Sequence, residues 1–312
     1  MSLENLNLLN QDDTRWFDLY GGDLRLAYSD KIHQYWGTIN NKFSLLPSAS
    51  TVLSSVGDKS AALMQWAVNC AIDHIRENGA DEEALAAAKL AYKKVSKAAL
   101  NTGSGVHNWV ENFWVSITPP PMPESQEECN SVDCFLEWVS QHKVVPILTE
   151  TKLASMKYKV AGTVDFFGLV DDEPAIIDYK TSKDLYAVYR LQTAAYVLML
   201  LEEAAYCKVR EKPFTRDGEV INNIPFKGKI KRLLLKFGKD SKLKVIEMSD
   251  KKELKTDITA FLHATSLYRW TSHWDNQTKP KQAHLEDIKF KALYNMHVKN
   301  AAFKSLKPDK LL

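Results

Sequence analysis

The chain has 312 residues, with 45% hydrophobic and 26% charged side chains and a formal net charge of +2. That balance suits one elaborated globular domain, or a core with an added lobe, and excludes a disordered chain. The small net charge excludes a uniformly basic nucleic-acid coat, and no apolar run reaches the length of a membrane span.

The chain starts Met1-Ser2-Leu3-Glu4, which resembles neither a secretory signal nor an Arg-rich transit peptide, so a cytoplasmic setting in a bacterial or phage-infected cell is expected. Residues 1 to 30 hold six acidic and two basic residues. The Ser/Thr-rich segment LLPSASTVLSSV at 45–56 leads into a predicted helix over 58–78, with Gly79 as its stop. Two more helices are predicted over 81–100, with an Ala-rich face, and over 104–116. The proline cluster at 119–123 reads as a connector, and Ser131 as the cap of a helix reaching His142.

Strands are predicted over 145–155, 158–170 and 174–180. The last two share the run AGTVDFFGLVDDEPAIIDYKTSK at 161–183. Two β-forming stretches flank Asp171-Asp172-Glu173-Pro174, which reads as a β-hairpin. Side chains alternate along a strand, so Asp178 and Lys180 share a face, and Asp165 on the partner strand can reach it. Two carboxylates and an ammonium at one end of a small sheet suit a divalent metal acting on a phosphodiester. A solvated hairpin with a surface salt bridge is the plain alternative.

A helix is predicted over 185–209, then a loop over 211–228. The stretch KGKIKRLLLKFGKDSKLK at 227–244 holds eight basic residues and one acidic residue, and reads as a hairpin of 230–237 and 243–248. Its lysines serve either phosphate contacts or the solubility of a sheet edge. Lys157, Lys159, Lys183 and Arg190 lie nearer the acidic run and are the first candidates for nucleic-acid backbone contacts. Asp250 is predicted to cap a helix reaching Thr271, and 279–312 is basic and weakly helical. The four cysteines, Cys70, Cys129, Cys134 and Cys207, form no zinc-type pairs. Trp66, Trp109 and Trp114 are core residues or stacking surfaces for bases.

The segment Gly162-Thr163-Val164-Asp165 followed by Asp178-Tyr179-Lys180-Thr181 resembles the PD-(D/E)XK nuclease superfamily, in particular its RecB-like exonuclease branch. That branch has a Gln-x-x-x-Tyr element on the next helix, matched by Gln192 and Tyr196. It also has an upstream histidine helix, matched by Gly103-Ser104-Gly105-Val106-His107 with Glu111 one turn on. The segment from Pro47 to Ala67 is similar to phage-type and mitochondrial-type members, whose N-terminal helices arch over a threaded single strand.

The resemblance implies an α/β, restriction-endonuclease-like core: a small mixed sheet flanked by helices, with a helical N-terminal lobe. The expected organisation is a lobe at 1–143 that includes His107, a nuclease core at 144–275, and a basic tail or helix at 276–312, all in one compact unit. It implies Mg²⁺ or Mn²⁺ held by His107, Asp165, Asp178 and the backbone carbonyl of Tyr179. Lys180 would assist the attacking water, and Gln192 and Tyr196 would hold Lys180 and the DNA. Glu150 on the preceding strand is a further carboxylate, either supporting a ligand or serving a second metal. Some members carry an iron–sulfur cluster with three cysteines near the C-terminus; only Cys207 follows the Asp-Tyr-Lys motif here, so no cluster is expected. The implied activity is a metal-dependent DNA exonuclease favouring single strands or free ends. The alternatives are a structure-specific endonuclease, a non-catalytic nucleic-acid-binding protein on the same fold, or a metal-dependent protein with no DNA substrate.

Overall fold

The computed structural model describes residues 14–278 except 40–41, 57–59, 183, 223–229 and 239. The basic segment 279–312 and Lys183 therefore lie outside the described residues.

A four-stranded antiparallel meander comes first: β1 (Thr14–Leu19), β2 (Leu24–Ser29), β3 (Gln34–Ile39) and β4 (Lys42–Leu46). These strands replace part of the helical lobe expected at 1–143. Both faces of β2 and β3 are largely buried, which blurs the in–out alternation that marks a strand. A short helix α1 (Ala49–Ser54) follows. Its cap, Ser48, accepts a hydrogen bond from the Thr51 N–H. Next come α2 (Ser60–Asn78), α3 (Glu82–Ala88) and α4 (Ala91–Val115). Gly79, with φ 89°, ends α2 as expected.

Gly103 and Gly105 do not separate two helices; they lie inside α4. A methyl on Gly105 would come within 2.4 Å of a Glu128 carboxylate oxygen, and one on Gly103 within 3.0 Å of the Thr181 hydroxyl. These glycines let neighbours approach the helix. Helix α5 (Gln126–Gln141) starts after Ser125, before the expected cap. Ser131 is buried inside it, with its hydroxyl donating to the Glu127 carbonyl.

The central sheet has the order β11-β10-β7-β6-β5, with β5 (Val144–Ser155), β6 (Val160–Val170), β7 (Glu173–Lys180), β10 (Lys231–Phe237) and β11 (Leu243–Met248). Asp171 and Asp172 both take positive φ, giving the two-residue turn that sets the β6–β7 hairpin register, Val170 opposite Glu173. β10 runs parallel to β7 after a crossover through α6 (Ala187–Val209). Within the region expected as loop, β8 (Thr215–Arg216) pairs with β9 (Glu219–Val220). α7 (Lys251–Thr278) starts where the Asp250 carboxylate accepts the N–H groups of Lys252 and Glu253.

Helices cover both faces of this sheet. Val164, Phe167 and Ile176 pack with α1, α6 and α7 on one side. Phe166, Ile177, Tyr179 and Leu235 pack with α4 and α5 on the other. The meander docks on the end of the sheet through Ala154 and Ala161. No described helix is long and apolar enough to cross a membrane.

Candidate metal and catalytic centre

Three side chains from three elements converge at the open corner of the sheet. One ligand atom each from His107 on α4, Glu150 on β5 and Asp165 on β6 lies within 4.8 Å of the others. His107 Nδ1 is 3.7 Å from Glu150 Oε1 and 3.9 Å from Asp165 Oδ2.

A backbone irregularity aims the two carboxylates. Val164 and Phe167 pack on the same face although they are three residues apart, so alternation slips by one residue at Asp165–Phe166. Opposite this point, the β5–β6 ladder pairs Thr149 with Phe166 and Thr151 with Val164, and between them Glu150 takes φ 43°. A left-handed glutamate costs about 1–3 kcal/mol, and such strain persists only where the surroundings enforce it. Buried Lys152 contributes here, its ammonium donating to the Glu150 carbonyl at 3.2 Å. Nothing local in the sequence marks this conformation, so the central position of Glu150 emerges only from the fold.

Beside this trio lies the Asp178–Lys180 pair, with the ammonium 2.6 Å from Asp178 Oδ2. Asp178 is fully buried, and neither of its oxygens receives a well-directed hydrogen bond. Asp165 accepts the backbone N–H of Tyr179 at 2.8 Å. The Tyr179 ring points to the opposite face, where its hydroxyl accepts from the Trp114 indole at 3.2 Å. Lys180 also donates to Gln192 Oε1 at 3.4 Å, Gln192 donates to the Tyr196 hydroxyl at 2.7 Å, and the Tyr189 ring lies 4.6 Å from the ammonium. Residues 192 and 196 sit one helical turn apart, so α6 presents both to the strand carrying Lys180. Gly162 makes room for this chain: a methyl there would lie 2.8 Å from Tyr196 Cε1.

Charge in the corner is unbalanced. Burial pushes the Asp178 carboxyl up to about 6, with Lys180 opposing and Asp165 reinforcing. Burial also raises Asp165, against the pull of His107. Burial disfavours a charged His107, but Asp165 and Glu150 outweigh it and lift the imidazole to about 8. The Lys180 ammonium is opposed by burial in the same way, yet Asp178 and Asp165 hold it above its usual value. Three carboxylates thus face one ammonium and one imidazole, a surplus of oxygen donors suited to a hard divalent cation.

The other candidates lie elsewhere. Lys157 and Lys159 sit in the β5–β6 turn, five or more residues along β6 from Asp165, or about 16 Å at strand spacing. The turn is tied down there: Glu202 accepts the Lys157 N–H, and Arg269 donates to the Tyr158 carbonyl. Arg190 faces α7, 3.3 Å from both Glu253 and Asp257. In the basic hairpin, Arg232 is fully buried and pairs with Asp257 at 2.8 Å, and Lys231 pairs with Glu173. Trp109 and Trp114 belong to the core beneath α4, the first buried and the second packed against it.

A family model described as the PD-(D/E)XK nuclease superfamily matches residues 62–284, more than half of the chain. No curated protein matches.

Proposed function

The chain belongs to the PD-(D/E)XK nuclease superfamily, and from that membership we propose that it is a Mg²⁺- or Mn²⁺-dependent deoxyribonuclease, an exonuclease acting on single strands or free DNA ends. The observation that carries this reading is the convergence of His107, Glu150 and Asp165 beside the buried Asp178–Lys180 pair. The donor set fits the cation: two carboxylates and an imidazole within reach of one another, next to a buried carboxylate short of hydrogen bonds. His107, Glu150 and Asp165 would hold it, with Asp178 and the Tyr179 carbonyl as adjoining donors. When bound, the cation lowers the pKa of a water and offsets charge developing on phosphate.

The chain's own residues supply the rest. Lys180, steadied by Asp178 and Gln192, presents an ammonium that orients the attacking water and stabilises negative charge on the phosphoryl oxygens. Tyr196 and Gln192 fix that ammonium from α6. The compartment of the sheet behind them is packed with buried apolar side chains, a low-dielectric surrounding that strengthens each of these charge interactions.

The test is cleavage of end-labelled linear single- and double-stranded DNA and of circular single-stranded DNA, with Mg²⁺, Mn²⁺ or EDTA. The expected result is stepwise products from linear single strands, intact circles, and no cleavage in EDTA. Cut circles would make the protein an endonuclease. Binding without cleavage under any metal would make it a non-catalytic binder.

A further inference from the structure

A pocket of about 350 Å³ opens beside the metal corner. Its walls come from four places: Tyr28, His33 and Tyr35 of the meander, Ser50 at the start of α1, Leu100 of α4, and Thr163 and Tyr196 of the nuclease core. The meander and α1 precede residue 62, so two of the four walls lie outside the family match. The walls are nonetheless joined. The Tyr35 hydroxyl hydrogen-bonds the Thr163 hydroxyl at 2.6 Å, and Lys152, which holds the Glu150 carbonyl, places its ammonium 5.0 Å from the Tyr28 ring.

The position links the pocket to chemistry. Thr163 is two residues, about 7 Å of strand, from Asp165. Tyr196 is the end of the chain of hydrogen bonds that starts at Lys180. A phosphodiester at the corner therefore places whatever hangs from it in or near this space.

The lining selects what that is. No Lys, Arg, Asp or Glu lines the pocket, and its one histidine, His33, is hydrogen-bonded through Nδ1 to the Tyr28 hydroxyl at 2.9 Å, so the lining lacks the guanidinium and ammonium groups that phosphate sites use. It offers aromatic surface with phenol and aliphatic hydroxyls, a set that suits a flat neutral ring with donors and acceptors on its edge. Its volume lies at the lower end of small-molecule sites, roughly 300–1,000 Å³. Resting on the nuclease reading above, we propose that the N-terminal meander and α1 build a subsite for one unpaired nucleobase next to the scissile phosphate. A base in a duplex would have to unpair and unstack to enter, at a cost of a few kcal/mol. The subsite would thus favour single strands or frayed ends.

The test uses two variants on different elements, Ser50→Trp on α1 and Leu100→Trp on α4. Both side chains line the pocket and are solvent-exposed, so a large ring enters it without disturbing the core. Binding of a fluorescent single strand is followed by anisotropy in EDTA, so that no turnover intervenes. A series of strands carries one abasic position moved a nucleotide at a time. The expected result for the unmodified protein is one abasic position that weakens binding roughly tenfold, the scale of one base–aromatic contact. Each Trp variant should bind the intact strand at that weakened level and show no further loss with the abasic strand. Equal binding of all abasic strands, or unweakened binding by both variants, overturns the subsite. Melting curves identify a variant that fails to fold, and the other then decides. Base-dependent binding with no cleavage would keep the subsite and remove the nuclease reading. Cleavage without base dependence would do the reverse.

Discussion

Two buried ionic clusters in this molecule are built in opposite ways. At the meander end, Glu203 of α6 is fully buried; its Oε1 accepts the Tyr20 N–H and an Arg216 nitrogen, both at 2.8 Å, and its Oε2 takes the second Arg216 nitrogen. One carboxylate meets one guanidinium in bidentate geometry, and both carboxylate oxygens are satisfied. At the metal corner, three carboxylates crowd around one ammonium and one imidazole, and buried Asp178 lacks a well-directed hydrogen bond. A balanced cluster joins elements; an unbalanced one stores a demand for positive charge. The difference teaches that burial of charge does not by itself mark a site, whereas surplus charge of one sign does.

The sharpest way to break the contrast is Glu203→Ala. It strands the buried Arg216 and the Tyr20 N–H, and should cost about 3–5 kcal/mol of stability, as loss of one partner of a buried pair does. Denaturant unfolding reads this, while activity per folded molecule should hold. Lys180→Ala should behave the other way round. Loss of one preorganised charge donor should lower kcat by about 10²–10³-fold. Mn²⁺ binding, followed by calorimetry, should be largely kept, since Lys180 is not among the converging donors. Normal turnover by this variant would remove the mechanism proposed for the corner.

Much of the metal corner is legible in the sequence because its parts are local. The Asp171-Asp172 turn sets the hairpin, the Asp178–Lys180 spacing places both on one face, and Gln192 and Tyr196 are a helical turn apart. Glu150 is legible only as a nearby carboxylate, because its place depends on a left-handed backbone opposite a slip in β6. The meander was not legible. Gly21-Gly22 and the stretch from Asp30 to His33 are turn signals between aromatic-rich runs, but burial on both faces hides the alternation. Arg190 reads as a phosphate-binding candidate because the sequence shows its charge and not Asp257, which lies far along the chain, pairs with it and also holds the buried Arg232.

Gly162→Ala sharpens the contrast on the side of precision. The added methyl would overlap Tyr196, and overpacking of this kind costs roughly 1–3 kcal/mol. The ring must shift, and it is the anchor of Gln192 and so of Lys180. The expected outcome is a fall in kcat with Mn²⁺ affinity unchanged, because the three converging donors lie on other residues. A fall in affinity instead would mean that Tyr196 supports the metal ligands and not the lysine.

The smallest expected effect is a pH dependence that only the unbalanced cluster should show. Asp178 titrates at about 6 in the folded protein against 3.8 ordinarily, and His107 at about 8 against 6.5. Both values are raised on folding, so the folded state holds more protons than the unfolded chain in these windows. Their contribution to metal-free stability is present while they are protonated. It declines as pH rises from about 4 to 6 for Asp178 and from about 6.5 to 8 for His107. A divalent cation replaces the lost protons, so the rise in Tm caused by Mn²⁺ should be larger at pH 8 than at pH 6. His107→Asn should flatten the upper part of that increase, and Glu203→Ala should lower every Tm while leaving the increase in place. A Mn²⁺ shift independent of pH in the unmodified protein would mean that the corner carries no surplus of protons for the cation to displace, and the contrast between the two clusters would fail.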